Sequence, residues 1–110
     1  MAALRGSLFK RWIMKYLAIE KEIIDIDWQN AGEILKKEAR QVYDIYLKGI
    51  LREIYLTEHN NAVLILECES MEKAREELST LPLVKEGMIE FDIVQLLPYK
   101  GMLRIIEKEG

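Results

Sequence analysis

The sequence predicts one α+β domain built from four strands and two amphipathic helices, and three observations support this prediction. A chain of 110 residues can form one hydrophobic core but is too short for two. Segments in which every second residue is apolar alternate with segments of helical periodicity. The residues are 50% hydrophobic and 32% charged, which is typical of a globular protein.

The first strand is predicted over residues 15–25, KYLAIEKEIID. Leu17, Ile19 and Ile23 alternate there with glutamates, as in a strand that has one face on a core. We therefore expect these three side chains to be buried and the Glu20 side of the strand to be partly polar.

Residues 28–49 are predicted to form one amphipathic helix. Its apolar stripe recurs at helical spacing and consists of Ala31, Leu35, Val42, Ile45 and Tyr46. We expect Asp27 to cap this helix and Gly49 to end it in the left-handed conformation. Glu38 is the exception to the pattern, because it projects within roughly 20–40° of the middle of the apolar stripe.

A β-hairpin is predicted next. Residues 50–58 are rich in strand formers, and His59 begins a polar turn. Residues 62–68, AVLILEC, are almost entirely apolar, so we expect both faces of this strand to be buried.

A second helix and a last strand complete the predicted domain. Ser70 is expected to cap the helix, and Pro82 is expected to mark its end. The inner stripe of the helix consists of Met71, Ala74, Leu78 and Leu81. Residues 88–97 alternate between apolar and acidic side chains, which predicts the fourth strand. Residues 102–106 are a candidate fifth strand at the edge of the sheet.

The predicted order, β-α-β-β-α-β, is that of a ferredoxin-like domain, in which two helices cover one face of a four-stranded antiparallel sheet. The other face would carry several apolar side chains, namely Ala18, Ile24, Val94 and Leu96. A monomer would expose them as one patch. We therefore predict a homodimer or a higher homo-oligomer, in which two sheets pack face to face as a dimeric α/β barrel.

Charge and composition exclude several classes of protein. Residues 1–16 contain four basic and no acidic residues, so the rest of the chain carries 12 basic and 19 acidic ones. This acidic body argues against nucleic acid as a partner, because phosphate binding needs clustered Lys and Arg. The single cysteine, Cys68, rules out an internal disulfide and fits the reducing cytoplasm. The apolar runs fall far short of the roughly 20 residues that span a bilayer, so no transmembrane segment is expected.

Residues 1–13, MAALRGSLFKRWI, differ in character from the rest of the chain. They are basic and free of acids, and they lack the apolar core and the cleavage site of a secretory signal. We interpret them as a dispensable extension before a domain that spans residues 14–110. The alternatives are an added leader and a short amphipathic helix that docks on a partner or a membrane surface.

Sequence motifs for bound metals and nucleotides are missing. The chain has no CxxC, no HExxH and no cluster of His and Cys, which argues against a zinc site or another transition-metal site. It also has no Gly-rich phosphate loop. We therefore expect a protein without cofactor or metal.

Residues 38–99 resemble a known family. The strand AVLILECES, the run LSTLPLVKEG and the closing strand FDIVQLLPY are similar to the second half of muconolactone isomerase-type proteins. That family has a helical glutamate, a glycine before the second strand and a similar LPL turn. Glu38, Gly49 and residues 78–83 occupy the matching positions. YCII-related proteins and antibiotic-biosynthesis monooxygenases share the dimeric α/β-barrel architecture that this resemblance implies.

The hairpin departs from the family pattern. Muconolactone isomerases have a Trp-rich second strand that ends in Arg and a Gly-Tyr-Asn-type turn, whereas this chain has ILREIYL and the turn EHNN. Tyr55 stands near one of the Trp positions. The His–Asp pair of the YCII-related group has no counterpart here, since His59, the one histidine, lies in the turn. The identity of the substrate therefore does not carry over.

Glu38 is the strongest catalytic candidate, because burial without a cation raises the pKa of a carboxyl toward the range useful for proton transfer. The alternative is a structural role, in which Glu38 pairs with Arg52 or Tyr55 or reaches an edge of the sheet. Arg52 can bind a substrate carboxylate or neutralise Glu38. Tyr55 points to the opposite side of a regular strand from Arg52, so one of the two at most shares a face with Glu38. His59 and Trp28 are weaker candidates.

Two functions are compatible with these residues and with the resemblance. The first is a cofactor-independent isomerase or cyclase that acts on a small oxygenated organic acid or lactone, with Glu38 carrying the proton. The second is a non-catalytic small-molecule-binding or assembly protein of the same fold.

Overall fold

The computed structural model describes residues 13–109 and confirms the predicted α+β, ferredoxin-like fold. Its four antiparallel strands are arranged in the order β2-β3-β1-β4, with helices packed on one face. The elements are β1 (Met14–Glu22), a 3₁₀ turn (Trp28–Asn30), α1 (Gly32–Leu47), β2 (Leu51–Leu56), β3 (Ala62–Cys68), α2 (Met71–Leu78), α3 (Pro82–Lys85), β4 (Ile89–Leu96) and α4 (Leu103–Glu109). The proposed extension, residues 1–13, lies outside the described residues except for its last position.

The register of the sheet determines which side of β1 faces the helices. Ala18 pairs with Leu64 of β3 and with Ile93 of β4, and it is fully buried beneath the helices together with Tyr16. We call this side of the sheet the inner face and the opposite side the outer face. The prediction that Leu17, Ile19 and Ile23 face the core is therefore wrong for β1: Leu17 and Ile19 lie on the outer face. Because apolar residues occupy both sides of β1, the period of two could not identify the inner face.

The first helix is shorter than predicted at its N-terminus. Residues 28–30 form the 3₁₀ turn, and α1 begins only at Gly32. Asp27 does not cap the helix, because its carboxylate accepts a hydrogen bond from the Asn30 side chain instead (2.7 Å). The C-terminus is as predicted: Gly49 has φ +81° and donates its backbone N–H to the Tyr46 carbonyl.

The hairpin and the second helix form close to their predicted positions. The Ser70 hydroxyl accepts a hydrogen bond from the Lys73 backbone N–H (3.0 Å) and caps α2. Pro82 does not end this helix directly. It lies beyond Leu78, the last residue of α2, and begins α3, where a proline is tolerated because the first residue of a helix has no intrahelical partner for its N–H.

The C-terminal tail is helical and not a fifth strand. Residues 103–109 form α4, in which local hydrogen bonds such as that from the Leu103 N–H to the Lys100 carbonyl (3.1 Å) satisfy the backbone. The prediction of an edge strand is therefore wrong, because these residues pair within their own segment. None of the helices within residues 13–109 combines the length and the hydrophobicity that crossing a bilayer requires.

Two glycines provide a test of the helix boundaries: Gly32 is the first residue of α1, and Gly49 follows its end. Gly49 adopts a positive φ, so Gly49→Ala should lower the free energy of unfolding by about 1 kcal/mol, even though a Cβ would meet no atom within 4 Å. Gly32 lies in the first turn of α1, where a Cβ is equally free of contacts. Gly32→Ala should therefore raise the stability by up to about 1 kcal/mol. Urea denaturation measures both variants, and equal effects would contradict this assignment of the helix end.

Candidate functional site

A cavity of about 640 Å³ opens between α1, the inner face of the sheet and the β2–β3 turn. Most of its lining is apolar, with Leu35, Val42, Ile54, Leu64 and Phe91 among the contributors. Five polar residues also line it, namely Glu20, Glu22, Glu38, His59 and Asn60. The arrangement is typical of a small-molecule site, in which a few polar groups project into an apolar space.

Glu38 enters this cavity from the sheet-facing side of α1. Its Oε1 accepts a hydrogen bond from the Leu83 backbone N–H (2.9 Å), which fixes one carboxyl oxygen at the start of α3. Burial raises the pKa of Glu38 above the ordinary value of 4.5, and the nearby Glu20 raises it further, whereas the hydrogen bond from Leu83 partly offsets both effects. The carboxyl is therefore easier to protonate than an exposed glutamate.

Glu20 is a second acidic group in the cavity, and the sequence did not identify it as a site residue. It lies on the inner face of β1 with only 8% of its surface exposed. Its Oε1 accepts a hydrogen bond from the Ala62 backbone N–H (2.7 Å). Glu20 lies two residues after Ala18 and therefore on the same face of β1. This spacing could have identified it, but the opposite face of β1 was expected to be buried.

Each of these two glutamates, Glu38 and Glu20, has a second carboxyl oxygen for which no hydrogen bond or ion pair is found among the described side chains, those of residues 13–106. No side-chain oxygen in this part of the chain is both buried and without a partner. Both oxygens are therefore accessible to solvent, and both glutamates line the cavity.

Glu77 is also buried, but it has cationic partners. Glu77 is 4% exposed and contacts the Lys48 and Lys73 ammonium groups, each at 3.1 Å. Burial alone would raise the pKa of Glu77, but the hydrogen bonds from the two lysines outweigh it and hold the pKa below 4.5. Glu77 thus has two cationic partners, whereas no described Lys or Arg nitrogen of residues 13–106 lies within 4.0 Å of Glu38.

Arg52 and Tyr55 lie on the outer face, away from Glu38. The Arg52 Nε is 4.0 Å from Glu67 Oε1, and the Tyr55 hydroxyl donates a hydrogen bond to Glu53 (2.8 Å). The expectation that Arg52 and Tyr55 point to opposite sides of the strand is therefore wrong. A β-bulge between Leu51 and Glu53 inserts Arg52 as an unpaired residue and turns it toward the outer face.

The structure therefore separates the three catalytic candidates. The alternative in which Glu38 pairs with Arg52 or Tyr55 is contradicted, because each of those side chains contacts a different glutamate. His59 does line the cavity from the hairpin turn, and so does Trp28, whose indole N–H donates to Glu22 (3.0 Å).

The arrangement can move a proton. Among the described side chains, those of residues 13–106, no group of three or more His, Cys, Asp or Glu is placed to hold a metal ion. Cys68 is buried, and burial raises the pKa of its thiol, which disfavours the reactive thiolate. The chemical capacity of the site therefore lies in its carboxyl groups.

The pKa shifts of Glu38 and Glu77 have opposite signs, so the two residues should change the stability of the fold with pH in opposite directions. Since the folded-state pKa of Glu38 is raised, its stabilising contribution is complete below pH 4.5 and is lost as the pH rises through the folded value. Glu38→Gln should therefore gain stability relative to the parent chain between pH 4 and pH 8, while Gln can still accept the Leu83 hydrogen bond.

Glu77→Gln should show the reverse. The lowered pKa of Glu77 stabilises the fold above pH 4.5, and this contribution is lost as the pH falls through the folded value. The variant should lose about 1–3 kcal/mol at pH 7 and less at pH 4. Urea denaturation across this pH range tests both signs, and parallel curves for the two variants would refute the contrast.

Neither a scan of protein-family models nor a search of curated proteins gives a match to this chain. The cavity and its carboxyl groups, above all those of Glu20 and Glu38, are therefore the basis for a functional hypothesis. The resemblance to muconolactone isomerase-type proteins is a second, separate hypothesis.

Proposed function

We propose that this protein is a cofactor-independent isomerase or cyclase that acts on a small oxygenated organic acid or lactone. The observation that carries the proposal is the position of Glu38, which lines a largely apolar cavity and whose carboxyl has no cationic partner among the described side chains. The cavity volume of about 640 Å³ is within the range of about 300–1,000 Å³ that is typical of small-molecule sites.

Glu38 would act as a single carboxyl that takes a proton and returns it. The ionised form removes a proton from the carbon next to a carbonyl. The resulting acid exchanges its proton with water and delivers a proton to another carbon of the intermediate. No electron is gained or lost overall, so no redox partner is needed. A raised pKa suits this role, because a general base with a pKa closer to the working pH is better at both steps.

The family resemblance supports the same proposal. Glu38 stands at the position of the helical glutamate of muconolactone isomerase-type proteins, and a ferredoxin-like domain, as described for residues 13–109, is compatible with the dimeric barrel that this resemblance implies. We therefore propose membership of this group within the dimeric α/β-barrel proteins.

A second candidate function is ligand binding without catalysis. One oxygen of Glu38 and one of Glu20 are already held by backbone N–H groups, as expected of carboxyls that shape a cavity. Such a protein would bind a small molecule without converting it.

Hydrogen exchange tests the catalytic role before the substrate is known. A panel of small lactones and unsaturated organic acids, incubated with the protein in D₂O, should show incorporation of deuterium next to the carbonyl by NMR. Glu38→Gln should reduce the rate by at least about 100-fold, because the remaining amide cannot accept the proton. Glu72→Gln is the matched control, since Glu72 is an exposed carboxyl on α2, outside both the cavity lining and the sheet, and should leave the rate unchanged.

The result separates the two functions. Full exchange in a folded Glu38→Gln variant would end the catalytic assignment. A compound that raises the melting temperature but never exchanges or turns over would favour the binding protein.

We also propose that the protein is a homodimer, or a higher homo-oligomer built on it, formed through the outer face. Ile19, Tyr55 and Val94 remain 40%, 60% and 51% exposed on this face. The Lys21–Asp92 ion pair (3.4 Å) lies beside them. An apolar patch with a charged border is typical of an interface, and a two-fold axis would let the same patch serve both copies.

Cys68, buried as a free thiol, supports a reducing, cytoplasmic location.

Sedimentation tests the oligomer. At micromolar concentration the chain should sediment at about twice its monomer mass of 12.9 kDa or above. Val94→Lys should shift it toward the monomer, because the substitution places a charge within the patch without reaching the inner core. A stable monomer of the unmodified chain would refute the proposal.

A further inference from the structure

The cavity between α1 and the inner face of the sheet combines negative charge with an apolar and aromatic lining. Three carboxyl groups line it, those of Glu20, Glu22 and Glu38, and none of its lining residues is Lys or Arg. Most of the remaining lining is apolar, and Trp28 and Phe91 add aromatic rings to it. A ligand that complements this space has to suit both features.

Glu20 contributes a carboxyl group that is short of partners. It is only 8% exposed, and its Oε1 accepts a hydrogen bond from the Ala62 N–H (2.7 Å). Its other oxygen has no hydrogen-bond or ion-pair partner among the side chains of residues 13–106. Burial of a carboxylate is costly when few partners replace its water. Glu38 adds to this cost, because the charge of Glu20 is one cause of the raised pKa of Glu38. A positive charge beside the two carboxyls would reduce both costs.

Glu77 shows what a positive charge does for a buried carboxyl in this fold. The ammonium groups of Lys48 and Lys73 each lie 3.1 Å from its oxygens, and they hold its pKa below the ordinary value in spite of burial. Among the side chains of residues 13–106, no lysine or arginine does the same for Glu20 or Glu38. The corresponding cation at the cavity would therefore be supplied by a ligand.

The lining favours an organic cation over a metal ion. No group of three or more possible metal ligands is found among the described side chains, and a largely apolar wall suits a hydrocarbon body. Phe91 is the cross-strand neighbour of Glu20 in the register of β1 and β4, so an apolar body that contacts Phe91 brings its charged end close to Glu20. Trp28 adds a second aromatic ring, and the face of an indole attracts cations.

We propose that the cavity binds a small organic cation, an ammonium group on an apolar body, with Glu20 and Glu38 as its ion-pair partners. The inference concerns binding and goes beyond the proposed function, because it needs no turnover and assigns a ligand that is not the substrate. Such a cation would also inhibit the isomerase, since an ammonium group paired with Glu38 blocks its access to a substrate carbon. This inhibition, unlike the binding, rests on the proposed function.

Three probes that differ only in their charged end test the inference. Phenethylammonium, phenethyl alcohol and hydrocinnamate share a phenylethyl body and carry a positive, a neutral and a negative group. In NMR titrations of the full chain at pH 7, phenethylammonium should bind at least about tenfold more tightly than the alcohol, as expected for one ion pair in a partly solvated site. Hydrocinnamate should bind more weakly than the alcohol. Added salt should reduce both differences, because screening weakens charge interactions.

The protein side of the interaction is tested by removing one charge at a time. Glu20→Gln and Glu38→Gln each keep an oxygen for the backbone N–H that holds them, that of Ala62 or Leu83, so both variants should fold. Each should bind phenethylammonium several-fold more weakly, with little change for the alcohol. Glu72→Gln, an exposed carboxyl on α2 outside the cavity lining, removes the same charge from the chain and should change neither affinity.

The possible results separate this inference from the proposed function. Equal or weaker binding of phenethylammonium relative to the alcohol overturns the inference. A preference that survives both cavity substitutions overturns it as well, because the preference would then come from the overall negative charge of the chain. Binding of the cation without deuterium exchange in any compound would refute the isomerase and leave the inference standing. Exchange that depends on Glu38, in a protein that does not prefer the cation, would do the opposite.

Discussion

The packing of α1 across the inner face of the sheet determines where this core closes and where it stays open. Toward its C-terminus the helix contributes Ile45, which is fully buried in the larger hydrophobic cluster with Leu64 and Leu66. Toward its N-terminus, Ile34 packs on a second cluster around Leu83. Glu38 lies on the same stripe of the helix, between these two contacts. The core is thus divided at the one position where the stripe carries a carboxyl, and the cavity occupies the division.

The contrast between Glu77 and Glu38 shows that this opening is not a general tolerance of the fold for buried charge. Glu77 is held by two lysines, which recover much of the cost of its burial. Glu38 is half-buried without such a cation, and burial together with the nearby Glu20 raises its pKa despite the hydrogen bond from Leu83, which reduces stability at neutral pH. Proteins accept such local destabilisation mainly at functional sites. This contrast, within one chain of 110 residues, favours a functional role for Glu38 over a structural one.

Sequence reasoning succeeded where the signal was local and failed where it depended on a partner strand. The exceptional position of Glu38 and the left-handed Gly49 follow from the period and the end of one helix, so both could be predicted. Glu20 could not, because both sides of β1 carry apolar residues and only the register with β3 and β4 shows which side is inner. Arg52 was misplaced because a β-bulge changes the face of a side chain without any mark in an otherwise regular strand pattern.

The alternation along β1 also keeps the two proposed surfaces independent. Ala18 and Glu20 face the helices and the cavity, whereas the side chains between and beside them, such as Ile19, face outward. A dimer formed through the outer face would enclose Tyr55 in the interface and leave each cavity within its own chain.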